Sequence, residues 1–457
     1  MTPPRPPARP EGAGLLTRLR LLRRDLLSAQ PERLYRAKMA HVSTPFGASV
    51  LVNEAPLVAE VLLRRPQAFP KSPVIADMLR DLLGRSVFVT DGAEWARARA
   101  LIDPAFAGGR LRQILPAIDA AARAGVARLA PGGAVEIEAA TAHIAADAIF
   151  RALFSRPIED EVAATIFAAF RAYQRSAPLL SPLALIRAPG WLPRLRPGRR
   201  HARLIRSLVA GLVAERAAAI AAGGAPDDLA TRIMTARDPA GQGFSAAEML
   251  DQVAIFLLAG HETSAAALAW ALWLLATHPA AQERVAAEGA ALPPRAGLAD
   301  LDRLGFTRAV LRETLRLYPP VPMLVRETAG RECFRGRALG PGTLVLVSPW
   351  HLHRHRALWR DPDGFDPGRW AGPAPARTAY LPFGAGPRLC PGAGFAMAEG
   401  VLVLARIAAA FVLSPAEGPP PRPVAQLTVR SGNGIRLVLA PRGGAALSPD
   451  RAAPGRD

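Results

Sequence analysis

Long apolar helical stretches separated by short proline- and glycine-rich breaks set the pattern of this chain. From Val253 to Trp273 almost every position is apolar, which predicts a long buried helix. A second helix is expected from Pro391, since proline suits a first helical turn, and Phe395, Met397, Val401, Leu404 and Ile407 follow it. A third runs from Phe306 to Tyr318 and is stopped by Pro319 and Pro320. Ser49–Val52 and Gly342–Val347 read as strands, and most other periodic segments as helices. The pattern predicts a mainly α fold with a small β part and no repeats.

The two ends differ from this pattern. Proline and arginine dominate residues 1–13, which are expected to be disordered, as is the tail 441–457; residues 14–440 are expected to form one domain. Leu15, Leu19, Leu22 and Leu26 share a helical face among arginines, read as a first helix packed on the body in preference to a peripheral membrane contact. No apolar stretch near the N-terminus is long enough to cross a bilayer, so no transmembrane anchor is expected.

Half of the 457 residues are hydrophobic, enough for a large core. The net charge of +19 is almost wholly arginine, because Lys38 and Lys71 are the only lysines. Nucleic acid is the partner that charge alone suggests, but aromatics make up only 6% and no basic patch interleaves with them, so no nucleic-acid binding is expected. The two cysteines, Cys333 and Cys390, suit a reducing cytoplasm, and Cys333, in a strand-like region, is read as structural.

Cys390 stands in Phe383-Gly384-Ala385-Gly386-Pro387-Arg388-Leu389-Cys390-Pro391-Gly392, before an expected helix. Backbone N–H groups and the dipole at a helix start favour a thiolate, the form a metal needs. Gly386 and Gly392 permit positive φ and close backbone approach to a flat macrocycle, Phe383 is placed to shield the sulfur, and Arg388 to reach a carboxylate on that macrocycle. At every fixed position the loop resembles the haem-binding signature of the cytochrome P-450 family, Phe-x-x-Gly-x-Arg-x-Cys-x-Gly.

Three further segments carry the resemblance across most of the chain. Ala259-Gly260-His261-Glu262-Thr263 is similar to the family's Ala-Gly-x-Glu/Asp-Thr motif on the helix crossing the distal haem face. The resemblance implies that Thr263 holds dioxygen and its proton-delivering water, and that Glu262 relays protons. His261 occupies the variable position and receives no ligand role; Gly260 is read as permitting a widened helical turn. Glu313-Thr314-Leu315-Arg316 resembles the family's Glu-x-x-Arg pair, with Arg369 as its later partner, although Gly368 stands where a glutamate is usual. Trp95 and Arg99 match the Trp-x-x-x-Arg helix and Arg326 a further propionate-binding arginine, whereas Arg97 is read as an ordinary solvated charge.

By this resemblance the chain has a cytochrome P-450-like fold, with haem b between a long distal helix and a proximal cysteine-loop helix and Cys390 as axial ligand. Residues 69–90 and the stretch 181–200, a mobile lid, would wall the pocket. The implied activity is hydroxylation or epoxidation of a lipophilic substrate with dioxygen. Electrons would come from a ferredoxin or flavodoxin and an NAD(P)H-dependent reductase, docking on a basic face. A peroxygenase, an isomerase and a non-catalytic haem sensor are the competing readings, against which the Glu262-Thr263 pair and the lid argue.

Overall fold

The helix Ala246–Thr277 organises the molecule, as seen in a computed structural model that describes residues 2–44, 47–129, 132–176, 198–425 and 427–443. A capping box starts it: Ser245 Oγ accepts from the Glu248 N–H while Glu248 accepts from the Ser245 N–H. Its 32 residues span roughly 48 Å. Helices Ile137–Phe154, Arg199–Ala221, Gly305–Leu317 and Ala393–Ala410 pack on it, burying nearly all of its apolar side chains.

The helix runs unbroken through Gly260, without the widened turn expected there. A Cβ at this position would stand 2.8 Å from Ile149 Cγ1. The glycine therefore lets Ile137–Phe154 approach closely.

A four-stranded sheet has the order Met39–Thr44, Gly47–Val52, Leu344–Val347, Leu324–Glu327. The two middle strands are parallel, the outer pairings antiparallel, and Arg326 lies opposite Val345. Val50, Val52, Val345 and Val347 alternate into a small core of their own, whereas the main core runs continuously from Leu26 to Leu439. Strands Ala134–Glu136, Arg436–Pro441 and Phe411–Pro415 form a second sheet, and Pro423–Ala425 pairs with Val429–Ser431. Cys333 lies in the strand Glu332–Phe334 with its side chain exposed, so it does not fill the structural role expected of it.

Residues 2–13 are not the loose segment that their composition predicted. Tyr318 Oη donates to the Pro4 carbonyl, Arg5 pairs with Glu32, and the Arg9 N–H donates to the Gln30 carbonyl, holding the segment on the body. The helix Leu15–Arg24 leaves Leu16 83% exposed. Its anchor comes just after it, where Asp25, Leu26 and Leu27 are buried and Asp25 accepts from the Leu27 and Ala425 N–H groups. At the other end Pro441 completes its strand and Arg442 pairs with Glu283; residues 444–457 lie outside the described residues. The expected lid falls mostly on residues 177–197, which also lie outside them.

Among the described residues, two helices, Ala246–Thr277 and Ala393–Ala410, are long and apolar enough to cross a membrane, and their most apolar windows are 83% and 61% buried inside the protein. They are the inner helices of this fold.

Candidate functional site

The glycine-rich loop ends at Cys390, three residues before the helix Ala393–Ala410, whose N-cap is Gly392 rather than the expected proline start. The Cys390 N–H donates to the Phe383 carbonyl (3.0 Å), so the loop closes on itself. Gly386 has φ +70° and its Cβ would meet Leu62 O at 2.0 Å: only glycine fits. Gly392 is different, with φ −81°, and a Cβ there would lie 3.9 Å from the cysteine sulfur. The Cys390 side chain is exposed, yet the protein packed around it pushes the thiol up, outweighing the Gly392 N–H and the Arg99 charge that favour the thiolate. The local donors expected from the sequence are present, but a metal itself would have to displace the proton.

A buried charge network joins the helix Gly305–Leu317 to residues 353–370. Arg316 donates from Nε and Nη2 to the two oxygens of Glu313 (3.0 and 2.8 Å), and both side chains are fully buried. Arg369 Nε, Trp370 Nε1 and the Asp366 N–H complete the shell of Glu313. Arg316 also donates to the carbonyls of His353, Pro362 and Gly364, tying three turns of the meander before the cysteine loop to one helix. Gly368 donates its N–H to Asp366, so its lack of a carboxylate leaves the network whole.

The expected carboxylate-binding residues converge from distant parts of the chain. Arg388 Nη2 donates to Asp91 Oδ1 (2.6 Å) and Nη1 to the carbonyls of Pro66 and Phe69. Arg99 donates to the Leu389 carbonyl (2.7 Å), one residue from the cysteine. Arg326 bridges to Lys71 through the backbone. The guanidinium carbons of Arg388 and Arg99 and the Lys71 ammonium lie 5.5–6.0 Å from the Trp95 ring.

Cations outnumber acids here, and the electrostatics show it. Burial and the charges of Arg326, Arg388 and Arg99 push the Lys71 ammonium down to about 7, with Asp91 opposing. Burial and Arg388 push Arg326 down to about 10, and its Nε is buried without a hydrogen-bond partner, as is Arg388 Nε. Asp91 stays below the usual carboxylate range: burial raises it, but the Lys71 and Gly92 N–H groups and Arg388 prevail. Buried, unanswered guanidinium N–H donors beside a cysteine loop fit an anionic cofactor with carboxylate arms, such as haem with its propionates.

Opposite conditions hold on the central helix. Ala259, Gly260 and Thr263 form an open strip within the otherwise buried stretch from Asp251 to Ala276. Thr263 Oγ1 donates to the Ala259 carbonyl (2.7 Å), the back-bond available to any helical threonine, which leaves its oxygen free to accept. Glu262 is buried and accepts from Thr428 Oγ1 (2.8 Å). His261, with Nδ1 on the Leu257 carbonyl, is held neutral by burial.

Sequence reasoning missed several of these partners. Lys71 carried a signal, being one of two lysines among 57 basic residues. Asp91 also carried one, as the N-cap of the helix Gly92–Phe106. Arg97 is no free surface charge: it bridges Asp238, Glu248 and the Gly243 carbonyl. Glu399, a lone acid in an apolar helix, is fully buried and accepts from Ser264 Oγ (2.5 Å), joining the proximal helix to the central one.

A cysteine loop with an excess of buried cations at one edge, in a helical body crossed by one long helix, defines a haem-thiolate class of protein. The sequence matches the Cytochrome P450 family model over residues 32–437, and the chain belongs to that family. It is 36% identical over 376 residues to the Cyclooctat-9-en-7-ol 5-monooxygenase of Streptomyces melanosporofaciens, covering 79% of each chain. To Cyclooctatin synthase of the same organism it is 33% identical, covering 84% of this chain and 85% of the relative. To Pentalenene oxygenase of Streptomyces avermitilis it is 30% identical, covering 85% and 87%. The protein is a cytochrome P450 monooxygenase, and its family implies haem with a cysteine thiolate, a redox partner, an organic substrate and dioxygen.

Proposed function

We propose that this enzyme hydroxylates or epoxidises a lipophilic terpenoid, with Cys390 as the thiolate that would hold haem b. The convergence of Lys71, Trp95, Arg99, Arg326 and Arg388 on the cysteine loop carries this reading. The names of three relatives, which refer to cyclooctat-9-en-7-ol, cyclooctatin and pentalenene, support the substrate class.

When bound, haem activates dioxygen with two electrons and two protons, placing one oxygen atom in the substrate and releasing the other as water. The chain's own residues do the rest. Arg326, Arg388, Arg99, Lys71 and Trp95 would hold the propionates, whose charge would answer the buried cations. Phe383 fixes the cysteine through its carbonyl, while Gly386 and Gly392 leave room around the loop. Thr263, its own proton committed to Ala259, accepts a hydrogen bond from water on the open strip, and Glu262 passes protons toward it. A ferredoxin or flavodoxin, with an NAD(P)H-dependent reductase, supplies the electrons; the strongly basic chain suits an acidic partner. The setting is the cytoplasm, where Cys390 stays reduced.

The reduced carbon-monoxide difference spectrum tests this reading. A red-shifted Soret band lost in Cys390→Ala is expected; a haem-loaded wild-type protein without that band overturns it. A shift of the ferric spectrum on adding pentalenene, set against a fatty acid, tests the substrate class.

A further inference from the structure

On the flank of the central helix lies a chamber of about 160 Å³, space for several waters, that no step above uses. Glu136 and Arg171 stand exposed at its rim, and His261 and Glu262 form its buried floor. Glu138 and Arg430 line the wall between. Counting about 100° per residue, Ala259, Thr263 and Gly260 lie at roughly 0, 40 and 100° around the helix, while His261, Ala265, Glu262 and Ala266 lie at roughly 200 to 340°. Glu262 therefore lies within the arc that faces the chamber, about 100° around the helix from Thr263.

One short segment sets both carboxylates. Thr428 Oγ1 donates to Glu262 Oε1 (2.8 Å) and the Ser431 N–H donates to Glu138 Oε1 (2.8 Å), with Arg430 between them. The segment is itself fixed, because the Val429 N–H donates to the Pro320 carbonyl and Trp270 Nε1 to the Val429 carbonyl. Two acids lining one chamber, Glu138 partly buried and Glu262 buried, are thus both held by a single fixed segment.

We propose that this chamber is the proton inlet of the enzyme and that Glu138 is its outer acid. Glu138 takes a proton from bulk water, releases it into the water filling the chamber, and that water delivers it to the Glu262 carboxylate. No electrons move and no bond other than O–H is made or broken. The inference rests on the monooxygenase reading of Thr263 and Glu262.

The groups facing Glu138 suit the task. Burial and the neighbouring Glu136 raise its carboxyl to about 7, against the Ser431 N–H and the Arg430 charge. Arg171, from the helix Glu161–Ser176, and His261 and Glu262, from the central helix, complete the ionisable lining. An acid near neutrality is both a competent donor and readily refilled.

The test compares wild type, Glu138→Gln and Glu138→Asp as haem-loaded enzymes, after each shows the same reduced carbon-monoxide spectrum. Loss of that spectrum in wild type would sink the underlying reading instead. Wild-type coupled turnover is expected to fall as pH rises through about 7, and infrared titration to show a carboxyl band disappearing over the same range. Glu138→Gln should lack both the limb and the band and turn over about tenfold more slowly, with Glu138→Asp restoring most of the rate. Arg430→Gln, which leaves the carboxyl in place, should move limb and band to higher pH. The inlet is wrong if Glu138→Gln keeps the wild-type pH profile, or if limb and band stay at one pH in every variant.

Discussion

Glu399→Gln should make the protein less sensitive to alkali, and the size of the effect follows from the site. The Glu399 side chain is fully buried on the proximal helix; Ser264 Oγ is its hydrogen-bond donor, Oε1 has no partner, and no cation acts on it. Burial raises its carboxyl from 4.5 to about 8, so the folded protein keeps the proton where the unfolded chain has lost it. Stability from this group is full below pH 4.5 and is lost as pH rises toward 8, at about 1.4 kcal/mol per pH unit. Over that window the loss is roughly 4–5 kcal/mol. The amide keeps the size and the acceptor for Ser264 but cannot ionise. Denaturant unfolding at pH 5, 6, 7 and 8 should show the variant within about 1 kcal/mol of wild type at pH 5 and several kcal/mol above it at pH 8. Parallel stability curves for the two proteins would refute the argument.

Other perturbations reach the same region from different sides. Glu313→Gln removes the anion from a fully buried pair and should cost about 3–5 kcal/mol in thermal or denaturant unfolding; a loss below about 1 kcal/mol would mean that the carbonyls around Arg316 suffice. Gly386→Ala places a methyl group 2.0 Å from Leu62 O at φ +70°, adding about 1–2 kcal/mol of backbone strain to about 1–3 of overpacking, so haem content should fall with stability; a fully loaded variant would contradict this. Because the Lys71 ammonium lies near 7 and propionates would raise it, haem uptake by apoprotein at pH 8 should absorb up to about one proton. Calorimetry in two buffers of different ionisation heat reads this, and identical heats would exclude it. Thr263→Ala should retain haem and divert electrons to peroxide, an outcome checked by comparing product formed with reductant consumed; unchanged coupling counts against the role given to Thr263.

The residues that announced themselves in sequence did so because each broke a strong local pattern. Glu262 and Thr263 interrupt an apolar helix, and Glu313 and Arg316 repeat at helical spacing before a double proline. Their buried pairing is what the structure provides for Glu313. The same logic applied to Glu399, a single acid between Phe395 and Ala410, would have found it as well. The purposes of Gly260 and Gly392 were not legible, because a glycine's reason is its neighbour: Ile149 lies 111 positions away, and the sulfur near Gly392 depends on the turn before it. Residues 2–13 misled in the opposite direction. Proline-rich composition signals the absence of helix or strand, not of contacts, and Tyr318 supplies one from across the chain. Lys71 and Asp91 stood out in sequence as a rare lysine and a helix N-cap, but their partners came into view only where residues 71–99 meet residues 326 and 388.

That meeting has a consequence for biosynthesis. The anionic-group cradle is closed by a bond between residues 297 positions apart, Arg388 to Asp91, and the thiol that would receive the metal is translated two residues after Arg388. Contacts of such separation form late, since the intervening chain must first be ordered. A nascent chain that has not reached Arg388 therefore holds half of the cradle and lacks the Cys390 thiol, and cofactor capture has to await the segment that ties residue 388 back to residue 91.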